Sequence, residues 1–111
     1  PAHNYNVTAI MKAFIDRLYC YYEFDNANRP GPWSSRLADQ GRKAALLAVC
    51  EQVNEEEGLG FTVKGMRLPL AALGYEIADE VVSFGRFAKG AVKGDEEVLK
   101  RCAKVGGGLA G

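Results

Sequence analysis

The 111-residue chain has no excess of charge of either sign, because fourteen lysines and arginines balance fourteen aspartates and glutamates. Binding to a phosphate backbone draws on a cationic surplus, so nucleic acid is not an expected partner. Cysteine is sparse and odd in number: Cys20, Cys50 and Cys102 lie far apart, without a C-x-x-C pair. The one histidine, His3, does not complete a zinc ligand set with them, which argues against a metal centre and against a disulfide framework. Each thiol is instead expected on a buried apolar face. No window approaches the roughly 20 apolar residues of a membrane span, and no basic-then-apolar leader opens the chain. The expectation is a cytoplasmic protein with no membrane partner. Internal repeats and low-complexity tracts are missing as well.

What is present is enough apolar sequence, 48% of residues, for one packed domain. Pro1 to Thr8 reads as a loop feeding a helix over residues 8–23. There Ile10, Phe14 and Leu18 recur at steps of four, Met11, Ile15 and Tyr19 repeat the step beside them, and Lys12 and Asp16 form an i,i+4 pair on another face. Asn6 or Thr8 supplies the cap. Phe24 to Gly41, with Pro30, Gly31 and Pro32, reads as a long irregular surface loop in which Trp33 either anchors the loop or covers a ligand.

Lys43 to Cys50 is a continuous apolar run after one lysine, the pattern of a buried parallel strand. The acidic stretch from Glu51 to Gly58 suits the positive end of a helix beginning near Gly58 to Thr62. Residues 61–73 predict a helix in two pieces, kinked at Pro69 and ended by Gly74. Glu76 to Phe84 predicts a strand at a sheet edge, and Asp95 caps a last helix that Gly106, Gly107 and Gly108 should stop. Helices alternating with strands imply an α/β layered architecture. Two strands make a poor sheet, however, and the first wants neighbours on both sides.

The residues from Pro1-Ala2-His3-Asn4-Tyr5-Asn6-Val7 into Lys12-Ala13-Phe14-Ile15-Asp16-Arg17 resemble a segment of the NADPH-dependent FMN reductase-like family. In that family a Ser-Pro strand end leads into a flavin-contacting loop and a helix bearing Lys-x-Phe-x-Asp-Arg. Lys43 to Cys50, Leu73-Gly74-Tyr75 and Gly94-Asp95-Glu96-Glu97 resemble later parts of the family in the same order. The resemblance implies an α/β fold with a flavodoxin-like doubly wound parallel sheet, of which residues 1–111 form the C-terminal portion, lacking the N-terminal strands and the phosphate loop. It implies FMN as cofactor, NADH or NADPH as co-substrate, and a quinone, free flavin or other small-molecule electron acceptor. The iron–sulfur flavoprotein and quinone reductase relatives share this fold. No closely spaced cysteines support a cluster here, and Gly58-Leu59-Gly60 and Gly106 to Gly108 read as turns.

Ligands of open α/β sheets bind at the carboxyl ends of the strands. On the resemblance, Pro1, His3, Asn4, Tyr5, Asn6 and Val7 run along the flavin ring, with Tyr5 as aromatic surface and the two asparagines as donors. Cys50 and Gln52 belong to a second loop at the pyrimidine side, where Gln52 is a better donor to an anionic ring than Glu51. Trp33 resembles a loop tryptophan that covers a neighbouring subunit's flavin. Lys12, Asp16 and Arg17 read as structural pairing. The alternative is a non-catalytic flavodoxin-like fragment or interaction module held together as a homo-oligomer, because an exposed parallel strand edge must be paired. An electron carrier is disfavoured by the balanced charge.

Overall fold

In the computed structural model, which describes residues 1–110, the N-terminal loop leads into helix α1 (Ala9–Arg17). Its cap is Thr8, whose hydroxyl accepts a hydrogen bond from the Met11 N–H at 3.2 Å. The Asn6 carboxamide is already used, accepting from the Val7 N–H at 2.8 Å. The helix is shorter than the 8–23 expected from its periodicity: it tightens into a 3₁₀ turn at Leu18–Tyr21 and gives way to strand β1 (Tyr22–Phe24). Aromatic residues favour a pleated, half-buried surface, and here they find a partner strand.

That partner corrects the expectation of an irregular loop over 24–41. Trp33–Ser35 forms strand β2, antiparallel to β1, with Tyr22 opposite Ser35 and Phe24 opposite Trp33. Pro30 and Pro32 fall in the connection, where no ladder donor is needed. The Tyr22 and Trp33 rings meet edge-on with centroids 5.2 Å apart, a contact worth about 0.5–1.5 kcal/mol beyond area burial. Cys20, expected to be buried, is exposed because the 3₁₀ turn carries it off the α1 face. Cys102 is half-buried and only Cys50 is buried.

The second sheet is a parallel pair, β3 (Lys43–Val49) and β4 (Glu76–Ser83). An extra residue, Ala78, bulges between the pairs Ala44–Ile77 and Ala45–Asp79. Beyond the bulge, successive residues face opposite sides, and the ion pairs show which helix covers each. Glu80 pairs with Arg67 of helix α3 (Thr62–Ala72), whereas Asp79 pairs with Arg101 of helix α4 (Glu96–Ala110). Helices α3 and α4 therefore cover opposite faces of one strand pair. On the α3 face Leu46, Ala48 and Met66 join Ile15 of α1 in the buried core. On the α4 face Val81 is buried, yet its neighbour across the ladder, Leu47, is 58% exposed. This is a mixed α/β architecture of two small sheets, one antiparallel and one parallel. Strand β3 is less buried than its apolar run suggested, for no second strand flanks it among the described residues.

A short helix, α2 (Glu55–Gly58), capped by Asn54, takes up the acidic stretch earlier than expected. Helix α3 is one piece with Pro69 inside it, not two. Proline removes one helical hydrogen bond, but Met66, Leu73 and the Arg67–Glu80 pair anchor the helix on either side of the gap. Its end is specified by Gly74, at φ 96°, with the Gly74 N–H donating to Ala71 and the Tyr75 N–H donating to Leu70. This is the paired bonding by which a left-handed residue satisfies the last carbonyls. By contrast α4 runs through Gly106, Gly107 and Gly108 to Ala110. None of these three adopts the positive φ that would turn the chain, so they stay helical despite their poor propensity.

Two glycine substitutions should therefore have opposite signs in urea denaturation. Gly74→Ala forces a Cβ to 2.8 Å from the Ala38 Cα, and is expected to destabilise the chain by about 1–3 kcal/mol. Gly107→Ala meets nothing within 4 Å, and should stabilise by roughly 0.5–1 kcal/mol. A pH dependence follows from Asp95 and Asp79. Hydrogen bonds from Arg86 to Asp95 and from Arg101 to Asp79 hold both carboxyls below their ordinary value of 3.8. A carboxyl lowered by folding contributes stability above its unfolded value, and that contribution is lost as pH falls through the folded one. The urea midpoint should thus drop between about pH 5 and pH 2, and Asp95→Asn should flatten the drop.

Candidate functional site

The first turn of the chain stands beside the carboxyl end of β3, because the Ala2 N–H donates to the Val49 carbonyl at 2.9 Å. The chain then reverses over four residues. His3 and Asn6 exchange backbone hydrogen bonds of 2.9 and 3.1 Å, and both central residues, Asn4 at φ 47° and Tyr5 at φ 64°, are left-handed. This is a type I′ turn. Asparagine tolerates such a backbone but tyrosine rarely does, so something must hold it. The Tyr5 carbonyl accepts the Phe61 N–H at 2.7 Å, and Gly60 packs so tightly under the turn that a Cβ there would lie 2.5 Å from the Tyr5 Cβ. Gly60 and Phe61, at the entry to α3, thus clamp the turn with Tyr5 projecting to solvent.

The expected site residues divide into groups. His3, Asn4, Tyr5 and Asn6 are exposed on the turn, Pro1 is exposed beside it, and Val7 is half-buried. The N–H groups of Asn4 and Tyr5 have no partner among the described residues, so they remain available to a ligand. Cys50 and Gln52 follow β3 on the same end of the strand pair. The Cys50 N–H donates to Ser83 and its carbonyl accepts from Arg86, while its thiol is buried against Gly58 and donates to the Gln52 carbonyl at 3.6 Å. Burial raises the thiol pKa, and both the N–H and the thiol of Cys50 are already engaged. The Gln52 side chain is exposed and the Gln52 carbonyl fixes the next loop through the Gly85 N–H.

Beside this loop, Ser83, Arg86 and Asp95 close the carboxyl end of β4. Arg86 binds both Ser83 Oγ and Asp95, Ser83 donates to Asp95 at 3.2 Å, and Asp95 caps α4 through the Val98 N–H. No buried side-chain polar atom in that cluster lacks a partner, and these bonds brace the loop after β4 against α4.

Trp33 is not on the turn but on β2. It lines a groove of about 730 Å³ between α1, the hairpin and α3, which Asn6 and Val7 also line. Tyr19, Tyr22, Phe24 and Lys64 line it too and were not anticipated. The density of aromatics over residues 19–24 was the available signal. Read as a helix stripe it pointed to the core, and only the strand conformation turns it toward the groove.

The clamp makes a direct prediction. Gly60→Ala should displace the turn, shifting the amide resonances of Asn4, Tyr5 and Phe61 in a heteronuclear NMR spectrum, and cost about 1–3 kcal/mol; unchanged Tyr5 and Phe61 resonances would show the clamp to be wrong.

No family model, curated protein or solved structure matches this chain, so its functional reading rests on its own residues.

Proposed function

We propose that residues 1–111 are the C-terminal portion of a flavodoxin-like, doubly wound domain of the NADPH-dependent FMN reductase-like kind, which passes electrons from NADH or NADPH through FMN to a small-molecule acceptor. The observation that carries the reading is the bond from the Ala2 N–H to the Val49 carbonyl. It lies on the edge of β3 away from β4, where the next strand of a parallel sheet would end. Such a strand would bring the turn of Asn4 and Tyr5 to the carboxyl end of the sheet, where ligands of this architecture bind.

Uncovered apolar surface supports the same completion. Leu47 is exposed on one face of β3, and on the other face Ile10 is 85% and Phe14 56% exposed along one side of α1. An added strand and its helices would cover all three. The helix positions agree, with α3 on one face and α4 on the other, as in a sheet wound in both directions.

The residues offer partners for the ring end of FMN. For the ring there are the free N–H groups of Asn4 and Tyr5, the side chains of Asn4, Asn6 and Gln52, and the Tyr5 ring as a hydrophobic wall. For the phosphate the starts of α1, α2 and α4 are unsuited. Thr8, Asn54 and Asp95 already cap α1, α2 and α4, and Glu55 to Glu57, Glu96 and Glu97 add negative charge to the first turns of α2 and α4. An anion needs free N–H groups and no competing carboxylate. On the resemblance, the phosphate would be held by the loop after the first strand of the sheet, outside these residues.

Bound FMN would supply hydride acceptance and electron delivery, which are the cofactor's own chemistry. This chain's part is to orient the ring edge with the backbone of Asn4 and Tyr5, to exclude water with the Tyr5 side chain, and to keep the site rigid through the Gly60 clamp. The test is a visible spectrum of the chain after addition of FMN and gel filtration. Flavin bands that travel with the protein and bleach on adding NADPH support the oxidoreductase, and Tyr5→Ala should then weaken flavin binding roughly two- to tenfold. A folded but colourless protein would favour the second reading, a non-catalytic interaction module, which the open edge of β3 also suits.

A further inference from the structure

The structure assigns a second ligand site to the crevice between the start of β3, the bulge of β4 and one face of α4, where a small phosphate monoester binds as its dianion. The crevice measures about 370 Å³, within the range of roughly 300–1,000 Å³ that small molecules occupy. It stands apart from the turn of Asn4 and Tyr5. Strand β3 runs seven residues from Lys43, which lines the crevice, to Val49, which holds that turn through Ala2, a distance of about 20 Å at the rise of a strand. This site goes beyond the flavin reading and does not depend on it.

Charge selects an anion. Lys43, Arg101 and Lys104 line the crevice with Asp79 as its one carboxylate, so its walls carry two more positive charges than negative ones. Asp79 is already spent, because its Oδ1 accepts from Arg101 Nη2 and from the Glu80 N–H, each at 2.7 Å. The same Nη2 donates to the Glu80 carbonyl at 3.0 Å. These bonds fix the guanidinium and leave its Nη1 and Nε without an acceptor among the described residues. Lys43 and Lys104 form no ion pair there either, and Glu76, beside Lys43 on the ladder, is no exception.

Geometry narrows the anion to one whose charge sits on a single centre. The donors come from the first residue of β3 and from two positions one turn apart on α4, around one crevice. A phosphate monoester offers three terminal oxygens and close to two negative charges at one phosphorus, and charged donors bind such oxygens strongly. The rest of the wall is apolar or bare, formed by Ala78, Val105 and Gly108. Gly108 lies within α4, where glycine is a poor helix former, and a Cβ there would meet nothing within 4 Å. Its missing side chain leaves room for the ester group beside the helix backbone. The negative end of the α4 dipole acts over the last turn, which keeps the phosphate toward Arg101 and Lys104 and the uncharged ester group toward Gly108.

Isothermal titration of the full chain with phenyl phosphate tests this. The expected result is one site with a dissociation constant on the order of 100 μM. Inorganic phosphate, which lacks the ester group, and phthalate, whose two charges lie on separate carboxylates, should each bind roughly tenfold more weakly. Lys43→Met and Lys104→Met should each weaken phenyl phosphate roughly tenfold. Gly108→Leu should weaken it by as much while raising the thermal midpoint, because leucine fills the crevice and is the better helix former. Far-UV circular dichroism confirms that each variant is folded. No binding of phenyl phosphate, equal affinity for inorganic phosphate or phthalate, or a titration indifferent to the lysine variants or to Gly108→Leu would overturn the proposal.

Discussion

Everything in this molecule is arranged around a parallel strand pair that cannot satisfy itself. Strand β3 bonds to β4 along one edge, and along the other edge the one backbone bond among the described residues runs from the Ala2 N–H to the Val49 carbonyl. Buried backbone groups need partners, and parallel strands are ordinarily covered on both faces and flanked on both sides. The faces are partly provided: α3 and α4 are pinned to opposite sides of β4 by Arg67–Glu80 and Arg101–Asp79. These two carboxylates are adjacent in sequence, so the alternation of a strand alone sends their partner helices to opposite layers. The flank is what is unprovided.

The elements legible in the sequence were those whose signal is local. The apolar run of β3, the Gly74 stop and the Asp95 cap each depend on a few neighbouring residues and a fixed backbone geometry. What periodicity misread was where a tertiary partner decides. Tyr22 continues the helical stripe of α1 by spacing, but it lies opposite Ser35, and pairing with β2 turns it into a strand residue. Proline and glycine between the two strands looked like a ban on structure, yet they only confine it, since the connection needs no ladder donors. Gly106 to Gly108 failed as a stop for a related reason. Glycine permits a left-handed turn without compelling one, and here all three stay within α4.

The candidate site was legible as a segment but not as a mechanism of rigidity. Nothing in Asn4-Tyr5 announces that both residues are left-handed, because the strain at Tyr5 is sustained by Gly60 and Phe61, more than fifty positions away. Strained backbone held by a distant clamp is how binding loops are pre-organised. The clamp also leaves the two N–H groups of the turn pointing at no protein acceptor, which is costly in an unliganded loop only if it is buried. Here the turn is exposed, water can satisfy those groups, and a ligand can replace the water without disturbing the fold.

The two sides of α1 face different surroundings. Ile10 and Phe14 are exposed on the side of α1 away from Lys12 and Asp16, which with Tyr19 line the groove shared with α3 and the hairpin. The turn that begins the chain sits at the head of both, since Val7 borders the groove and also the small crevice that Met11 and Leu47 line at the β3 edge. Whatever covers the edge fixes Pro1 and Ala2 from one side, and whatever fills the groove fixes Asn6 and Val7 from the other. A turn held only by Gly60 and Phe61 is exposed on both flanks. With both surfaces covered, the same turn would be bounded on three sides and open only toward the carboxyl ends of the strands.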